Sequence, residues 1–506
     1  MRIEHTLEAS AARDGAKTAI VSGEVRLSYG RLLDLSRRLA ATLHAQGVRR
    51  GDSVLVLLDN SWRTAVAVFA TWIAGAAICP VNPATKAERL AAIAGNCEPA
   101  LVIVEGRLER LVEESPALGA LPRLVTGEGM SFDAALEAAP FVLTDRFADT
   151  DVAALIYTSG STGEPKGVMH SHDTLEAAAR SITHYLENTA ADIILVVLPM
   201  SFGYGLNQLV TAMLSGATLV IEKSFAFPQA VFETIRNEHV TGFPIVPAMA
   251  AMMMQARDLD ASLFASLRYV TSAAAALPLA HLDWLRAFLP HTKLFCMYGQ
   301  TECTRATWLP PDKIDTKRGS VGIAIPGTRA VVVDEAGEAA APGGIGELVI
   351  EGPHVMRGYW RNAVATDRAL RPAPDTGTLR LHTGDLFTAD ADGYLTFVSR
   401  MDDIIKSRGE KVAPQAVEEV LCRMPGIAEA LVVGVPHEML GEAVKAVVVA
   451  SDTSLTEREV LRFCARHLED HMVPKSVEFR DALPKTDNGK ASRRLAALPA
   501  NPTGSK

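Results

Sequence analysis

The chain has 506 residues, 48% of them apolar and 22% charged, a balance that excludes a disordered or fibrous protein. At roughly 100 to 200 residues per domain, this length predicts two to four compact units. The formal net charge of -9 comes with no basic block, so a nucleic-acid partner is not expected and any phosphate binding has to be local.

From the N-terminus, MRIEHTLEASAARDG lacks the charged start, apolar stretch and cleavage site of a signal peptide. A strand pair is expected near 18 to 28. Ser28 then reads as the N-cap of a helix that carries Leu32, Leu35, Leu39 and Leu43 on one face and stops at Gly47. The run SVLVLL (53 to 58) predicts a buried strand, 62 to 75 a helix, and AAICPVNP the next strand and turn, which is βαβ alternation around parallel strands. Further strands are predicted at 193 to 198, 218 to 221 and 267 to 271, with helical stretches between them.

From about 319, segments broken by Gly and Pro (VVVDEAG, GELVIEG, GYLTFVSR) predict a smaller β-rich subdomain. Beyond SRMDD (399 to 403) follow a helix at 414 to 423, strands at 428 to 434 and 444 to 450, a helix at 455 to 468 and a closing turn. The predicted fold class is therefore α/β: a large layered domain over 1–401, a small α+β domain over 402–494, and a tail over 495–506. No apolar run approaches the ~20 residues of a membrane span. The six cysteines are scattered without a CxxC pair or zinc spacing and read as reduced thiols of a cytoplasmic protein.

The segment 157 to 167, YTSGSTGEPKG, follows the apolar strand VAALI and supplies Thr158, Ser159, Ser161 and Thr162 with Gly160, Gly163, Gly167 and Lys166. Glycines let the backbone turn its N–H groups toward an anion, hydroxyls donate to phosphate oxygens, and the lysine neutralises charge. A Walker loop is excluded, because counting from Gly160 its second glycine falls on Pro165 and Lys166 precedes Gly167 instead of Ser or Thr.

This loop resembles that of the acyl-CoA synthetase, luciferase and peptide-synthetase adenylation superfamily. Four more segments stand in that family's order: YGQTE at 298 to 302, TGD at 383 to 385, SRMDDIIKSRGEKVAP at 399 to 414 and PKTDNGK at 484 to 490. The resemblance implies activation of a small-molecule carboxylic acid by ATP and Mg²⁺. A carboxylate is a poor acyl donor, and making its oxygen part of a phosphate ester of AMP gives it a good leaving group. That step requires positioned phosphates, a metal, and a cation near the bridging oxygen.

By the same resemblance, residues Thr158, Ser159, Gly160, Ser161, Thr162 and Gly163 hold phosphate together with Lys166, while Ala274, Ala275, Tyr298 and Gly299 border the adenine. Thr301 bonds the α-phosphate, Glu302 helps hold the metal, Asp385 accepts the ribose hydroxyls with Arg400 in support, and Lys490 reaches the acyl oxygen. In the second half-reaction a small mobile domain rotates about Asp402, bringing Lys406 and Gly409 to a thiol tunnel for a pantetheine arm. Singly, each has a plainer role open to it: a buried acid for Glu302, core packing for Tyr298, turn residues for Asp385 and Asp402, a solvated lysine for Lys490.

The acyl pocket departs from the family pattern. Many acyl- and aryl-CoA synthetases carry PLxH here, whereas this chain reads PMSFGYGLNQL from Pro199, with Phe202 in the histidine's place. Amino-acid-activating relatives place an Asp where Gly203 stands, so an α-ammonium would be buried unpaired. Phe202, Gly203 and Tyr204 are the pocket candidates, and the Met-rich PAMAAMMMQ (247 to 255) either lines the pocket or packs in the core. The expected activity is an acid–thiol ligase for a hydrophobic aliphatic or aryl acid, with coenzyme A as acceptor. Loading of a carrier protein's phosphopantetheine uses the same residues, and a non-catalytic adenylate-binding scaffold is a third reading.

Overall fold

The computed structural model describes residues 1–127, 129–141, 147–159, 164–373, 377–407, 410–437, 441–452, 454–484 and 491–497. The chain divides into two compact units, Met1–Ala330 with Val349–His382, and Val331–Leu348 with the chain from Thr383 onward. The class is α/β, as expected.

In the first unit Ser28 Oγ accepts from the Arg31 backbone N–H at 3.2 Å, opening the helix Tyr29–Ala45. Leu32, Leu35, Leu39 and Leu43 are all buried along its inner face. The helix Trp62–Ile73 is buried at every residue from Thr64 on, which is the pattern of a helix enclosed on all sides. It ends two residues before the predicted stop, just ahead of Gly75 at φ +81°. These helices share one apolar core with strand residues such as Ile20, Val54, Ile103 and Leu219.

Two sheets flank that core. One runs in the order Arg123–Thr126, Leu101–Glu105, Ser53–Leu57, Ala77–Pro80, Val152–Ser159, Pro165–Ser171, parallel throughout except for its last, antiparallel pair. The other has nine strands, ordered Ile323–Ala324, Thr307–Trp308, Lys293–Tyr298, Tyr269–Ser272, Gly242–Ile245, Ile193–Val196, Thr218–Ile221, Thr18–Ser22, Val25–Ser28. The strand Gly242–Ile245 escaped the sequence reading because Pro244 sits in it, facing Thr271 of the neighbouring strand, and proline inside a central strand argues against one.

In the second unit the strand Gly441–Ala450 pairs antiparallel with Ile427–His437 and parallel with Ser476–Phe479. A strand therefore stands where the sequence predicted only a closing turn. The helices Pro414–Cys422 and Glu457–His467 bury Val417, Leu421, Val460 and Cys464 in the core of this sheet. The expected tail also needs correction at its start: Arg493–Ala497 is helical, and Ala496 is fully buried with Leu431, Val433 and Val447. Arg493 anchors that helix through Glu418 (2.7 and 2.9 Å) and Asp403 (3.0 Å). Five residues are too few for a helical period to be read from sequence.

Candidate active site

The phosphate-loop motif straddles a hairpin. Val152–Ser159 pairs with Pro165–Ser171 so that Lys166 lies opposite Thr158, and Pro165 opposite Ser159. Gly160, Ser161, Thr162 and Gly163 fall outside the described residues. A Cβ at Gly167 would come within 2.9 Å of the Tyr157 ring, and that ring is held by its hydroxyl's bond to Asn96 Oδ1 (2.5 Å). This explains the glycine after Lys166.

Alongside this hairpin runs the segment 356–360. Arg357 N–H donates to Met169 O and Trp360 N–H to Gly167 O, while Met356 N–H donates to Glu302 O. Tyr359, which the sequence reading missed, links two motifs: Lys166 Nζ lies 5.5 Å from its ring centroid, and its hydroxyl donates to Glu302 Oε1 at 2.8 Å. Glu302 Oε2 has no partner among the described residues. A carboxylate oriented through one oxygen and open at the other fits Mg²⁺, which binds through one or two carboxylates plus substrate phosphates.

YGQTE forms the tip of a tight hairpin between Lys293–Tyr298 and Thr307–Trp308. Thr301–Cys303 is one 3-10 turn. Thr304 follows at φ +57°, ψ -60°, with the Arg305 N–H bonded back to Cys303 O, the strained three-residue turn that a β-branched side chain rarely adopts. Gly299 is required because a Cβ there would meet Thr304 O at 2.7 Å and Arg305 Cα at 2.9 Å. Gln300 Nε2 donates to the Tyr298 hydroxyl at 3.0 Å.

Behind Thr301 lies His170, fully buried, whose Nε2 is 2.7 Å from Thr301 O. A carbonyl only accepts, so this nitrogen carries the proton. Burial pushes the His170 pKa down to about 4, against the opposing effect of that bond. His354, bonded to Thr328 Oγ1, is likewise pushed to about 4, chiefly by burial. Neither was singled out from sequence, since an isolated histidine carries no local signal of what it will face.

On the acyl side, Phe202 precedes the helix Gly203–Ser215 at its N-cap. A Cβ at Gly203 would meet only Ile156 Cδ1, at 3.9 Å, so an acidic residue there is not excluded by space. The Tyr204 hydroxyl donates to Thr271 O (3.1 Å), and the Arg305 guanidinium stands 4.8 Å from its ring centroid. Ala274 adopts φ +76°, a conformation suited to the glycine that relatives often place there. Ala275 is exposed. In the helix Pro247–Gln255, Met249 and Met253 are core, whereas Met252 and Met254 are exposed.

In the second unit Asp385 is buried and Arg400 Nε donates to its Oδ1 at 3.1 Å. Asp402 is exposed in the turn Met401–Asp403. Lys406 is exposed on Ile405–Ser407, its N–H bonded to Glu442 Oε2 at 2.7 Å. Gly409 and Lys490 lie outside the described residues.

Comparison with known proteins assigns the chain to a family. A family profile described as AMP-binding enzyme matches residues 7–360, and one described as its C-terminal domain matches 416–490. The chain belongs to the AMP-binding enzyme family. Similar to this AMP-binding enzyme is 3-[(3aS,4S,7aS)-7a-methyl-1,5-dioxo-octahydro-1H-inden-4-yl]propanoyl:CoA ligase of Rhodococcus jostii, 32% identical over 97% of each chain. The long-chain-fatty-acid–CoA ligase of Salmonella typhimurium is 31% identical over 96% of this chain and 92% of its own. The structure of ATP-bound MatB from Rhodopseudomonas palustris superposes with a TM-score of 0.91 at 29% identity, covering 98% of both chains. The enzyme is an AMP-forming acid–thiol ligase. Among the described residues no helix is long and apolar enough to cross a membrane.

Proposed function

We propose that this enzyme uses ATP to convert a carboxylic acid with a hydrophobic aliphatic or aryl body into its acyl adenylate, then transfers the acyl group to coenzyme A. The carboxylate oxygen attacks the α-phosphorus and pyrophosphate leaves; the thiolate then attacks the acyl carbon and AMP leaves. The reading rests above all on Tyr359, which stands against Lys166 with its ring and orients Glu302 with its hydroxyl. One side chain thereby keeps a phosphate-neutralising cation and a metal-binding carboxylate in register.

In this reading Lys166, with Thr158 and its neighbours, holds phosphate oxygens, and Thr301, fixed from behind by His170, donates to the α-phosphate. Glu302 would hold Mg²⁺, which would supply charge stabilisation for the phosphates when bound. Tyr298 lies against the adenine beside Gly299, Ala274 and Ala275. Asp385 takes the ribose hydroxyls and Arg400 steadies it. Lys490 stabilises the attacking oxygen, Asp402 is the pivot of the second half-reaction, and Lys406 and Gly409 admit the pantetheine arm. We place the reaction in the cytoplasm, where ATP and coenzyme A are available.

The test is pyrophosphate release across fatty, aryl and amino acids, with and without coenzyme A. Lys490→Ala is expected to lower release by roughly 100-fold or more, the scale of losing one preorganised group at a reacting oxygen, and to spare thioester formation from supplied acyl-AMP. Unchanged release by that variant removes Lys490 from the first step. Transfer to a carrier protein alone, with free coenzyme A unused, would replace the acceptor, and strong activity with an α-amino acid alone would overturn the pocket reading.

A further inference from the structure

Arg305 is 3% exposed, yet its Nε has no acceptor and no carboxylate lies within ion-pair distance of it among the described residues. Its side-chain company is aromatic: the Tyr204 ring centroid lies 4.8 Å away, and Tyr185 stands in the same cluster as Tyr204. The surrounding cluster, including Phe295, Met297 and Trp308, is apolar. Arg380 also leaves its buried Nε without an acceptor among the described residues, whereas other arginines are paired. Buried Arg2 pairs with Glu4 and Asp151, and Arg493 with Glu418 and Asp403.

A guanidinium cannot shed its proton at any physiological pH, so burial without an anion leaves a full positive charge uncompensated. An aromatic face offsets part of that cost and offers no acceptor for the remaining N–H groups. The position of the charge narrows what could complete it. Arg305 follows Glu302 by three residues, across the strained turn at Thr304, and it faces Tyr204 of the candidate acyl pocket. The Tyr204 hydroxyl is tied to Thr271, at the end of the strand that leads into Ala273, Ala274 and Ala275. A cation at this place also repels the ammonium that Gly203 already leaves unpaired.

We propose that Arg305 is a specificity residue for the acid substrate, binding a second carboxylate carried on the substrate's apolar body. The preferred substrate is then a dicarboxylic acid, one carboxylate activated at the phosphate and the other held by Arg305. This deepens the acid-activating reading above and rests on it.

The experiment compares pyrophosphate release by the full-length enzyme with monocarboxylic and α,ω-dicarboxylic acids of matched carbon number, in the wild type and in Arg305→Met. In the wild type kcat/KM is expected to favour the diacid by about 100-fold or more, as for a site whose buried polar group is left unpaired by the wrong substrate. Arg305→Met is expected to erase that preference, chiefly through KM of the diacid, with the monoacid unchanged or improved and KM for ATP unchanged.

A wild-type enzyme that uses monoacids as well as diacids would overturn the proposal while leaving acid activation intact, and this arm needs no variant to fold. A variant that loses all acids equally, or whose KM for ATP rises, would assign Arg305 to packing or to the nucleotide and overturn it as well. No pyrophosphate release with any acid would overturn both readings together.

Discussion

Burial holds three histidines neutral: His170 and His354 at about 4 and His172 at about 2. In each case loss of solvent is the main cause. Their folded values lie below the ordinary histidine value, so as pH falls the unfolded chain takes up these protons first. Their contribution to stability is therefore complete above about pH 6.5 and is lost as pH falls toward about 4, at about 1.4 kcal/mol per pH unit for each histidine. Asp59 and Asp192, whose carboxyls are held below the ordinary value by arginine, lysine and hydroxyl partners that outweigh burial, lose theirs at lower pH. Urea midpoints measured from neutral pH downward should fall in the first window, and a flat profile there would show these rings to be protonated in the folded protein. Protonation of His170 would fall on Nδ1, which faces Thr174 Oγ1 at 3.3 Å, and would leave the Nε2 bond to Thr301 in place.

The element that matters most to the site is the hairpin from Lys293 to Trp308, which carries YGQTE at its tip. Its strands are ordinary, and its turn is not. Gly299 faces the backbone of Thr304 and Arg305 at distances that leave no room for a methyl group, and backbone atoms cannot step aside as a side chain can. Gly299→Ala is expected to cost about 1–3 kcal/mol and to lower pyrophosphate release, because Thr301 and Glu302 ride on this turn. Gly203→Ala is the control, since a Cβ there meets only ordinary contact with Ile156. Equal melting temperatures for the two variants would refute the close-packing argument. The helix Tyr29–Ala45 was legible from its leucine spacing and its Ser28 cap, whereas Gly242–Ile245 was hidden by Pro244 and Arg493–Ala497 by its shortness.

At the scale of the whole molecule, the proposed second half-reaction needs a pivot, and its candidate Asp402 lies within the second compact unit. Asp403 is held by Arg493 at 3.0 Å, while its neighbour Asp402 is exposed and has no partner among the described residues. A side chain without ties can follow a change of backbone angle at little cost, which supports Asp402 as the hinge. Asp402→Pro, by fixing φ, is expected to slow thioester formation at least about tenfold more than adenylate formation. Stopped-flow measurement of the two half-reactions separately checks this, and equal slowing of both would remove the hinge.

From sequence alone came the α/β class, the leading helices and strands, and the motifs whose resemblance implies adenylation. These depend on residues close together in the chain, where spacing and residue type carry the physics. The tertiary structure decided which distant groups meet. Tyr359 reaches Glu302, His170 reaches Thr301 and Arg305 reaches Tyr204, and no local period encodes contacts between segments so far apart. The candidate acyl-pocket residues show the difference most plainly. Phe202 and Gly203 were readable as departures from a motif, but the buried charge facing Tyr204 became visible only once two separate stretches of chain were packed against each other.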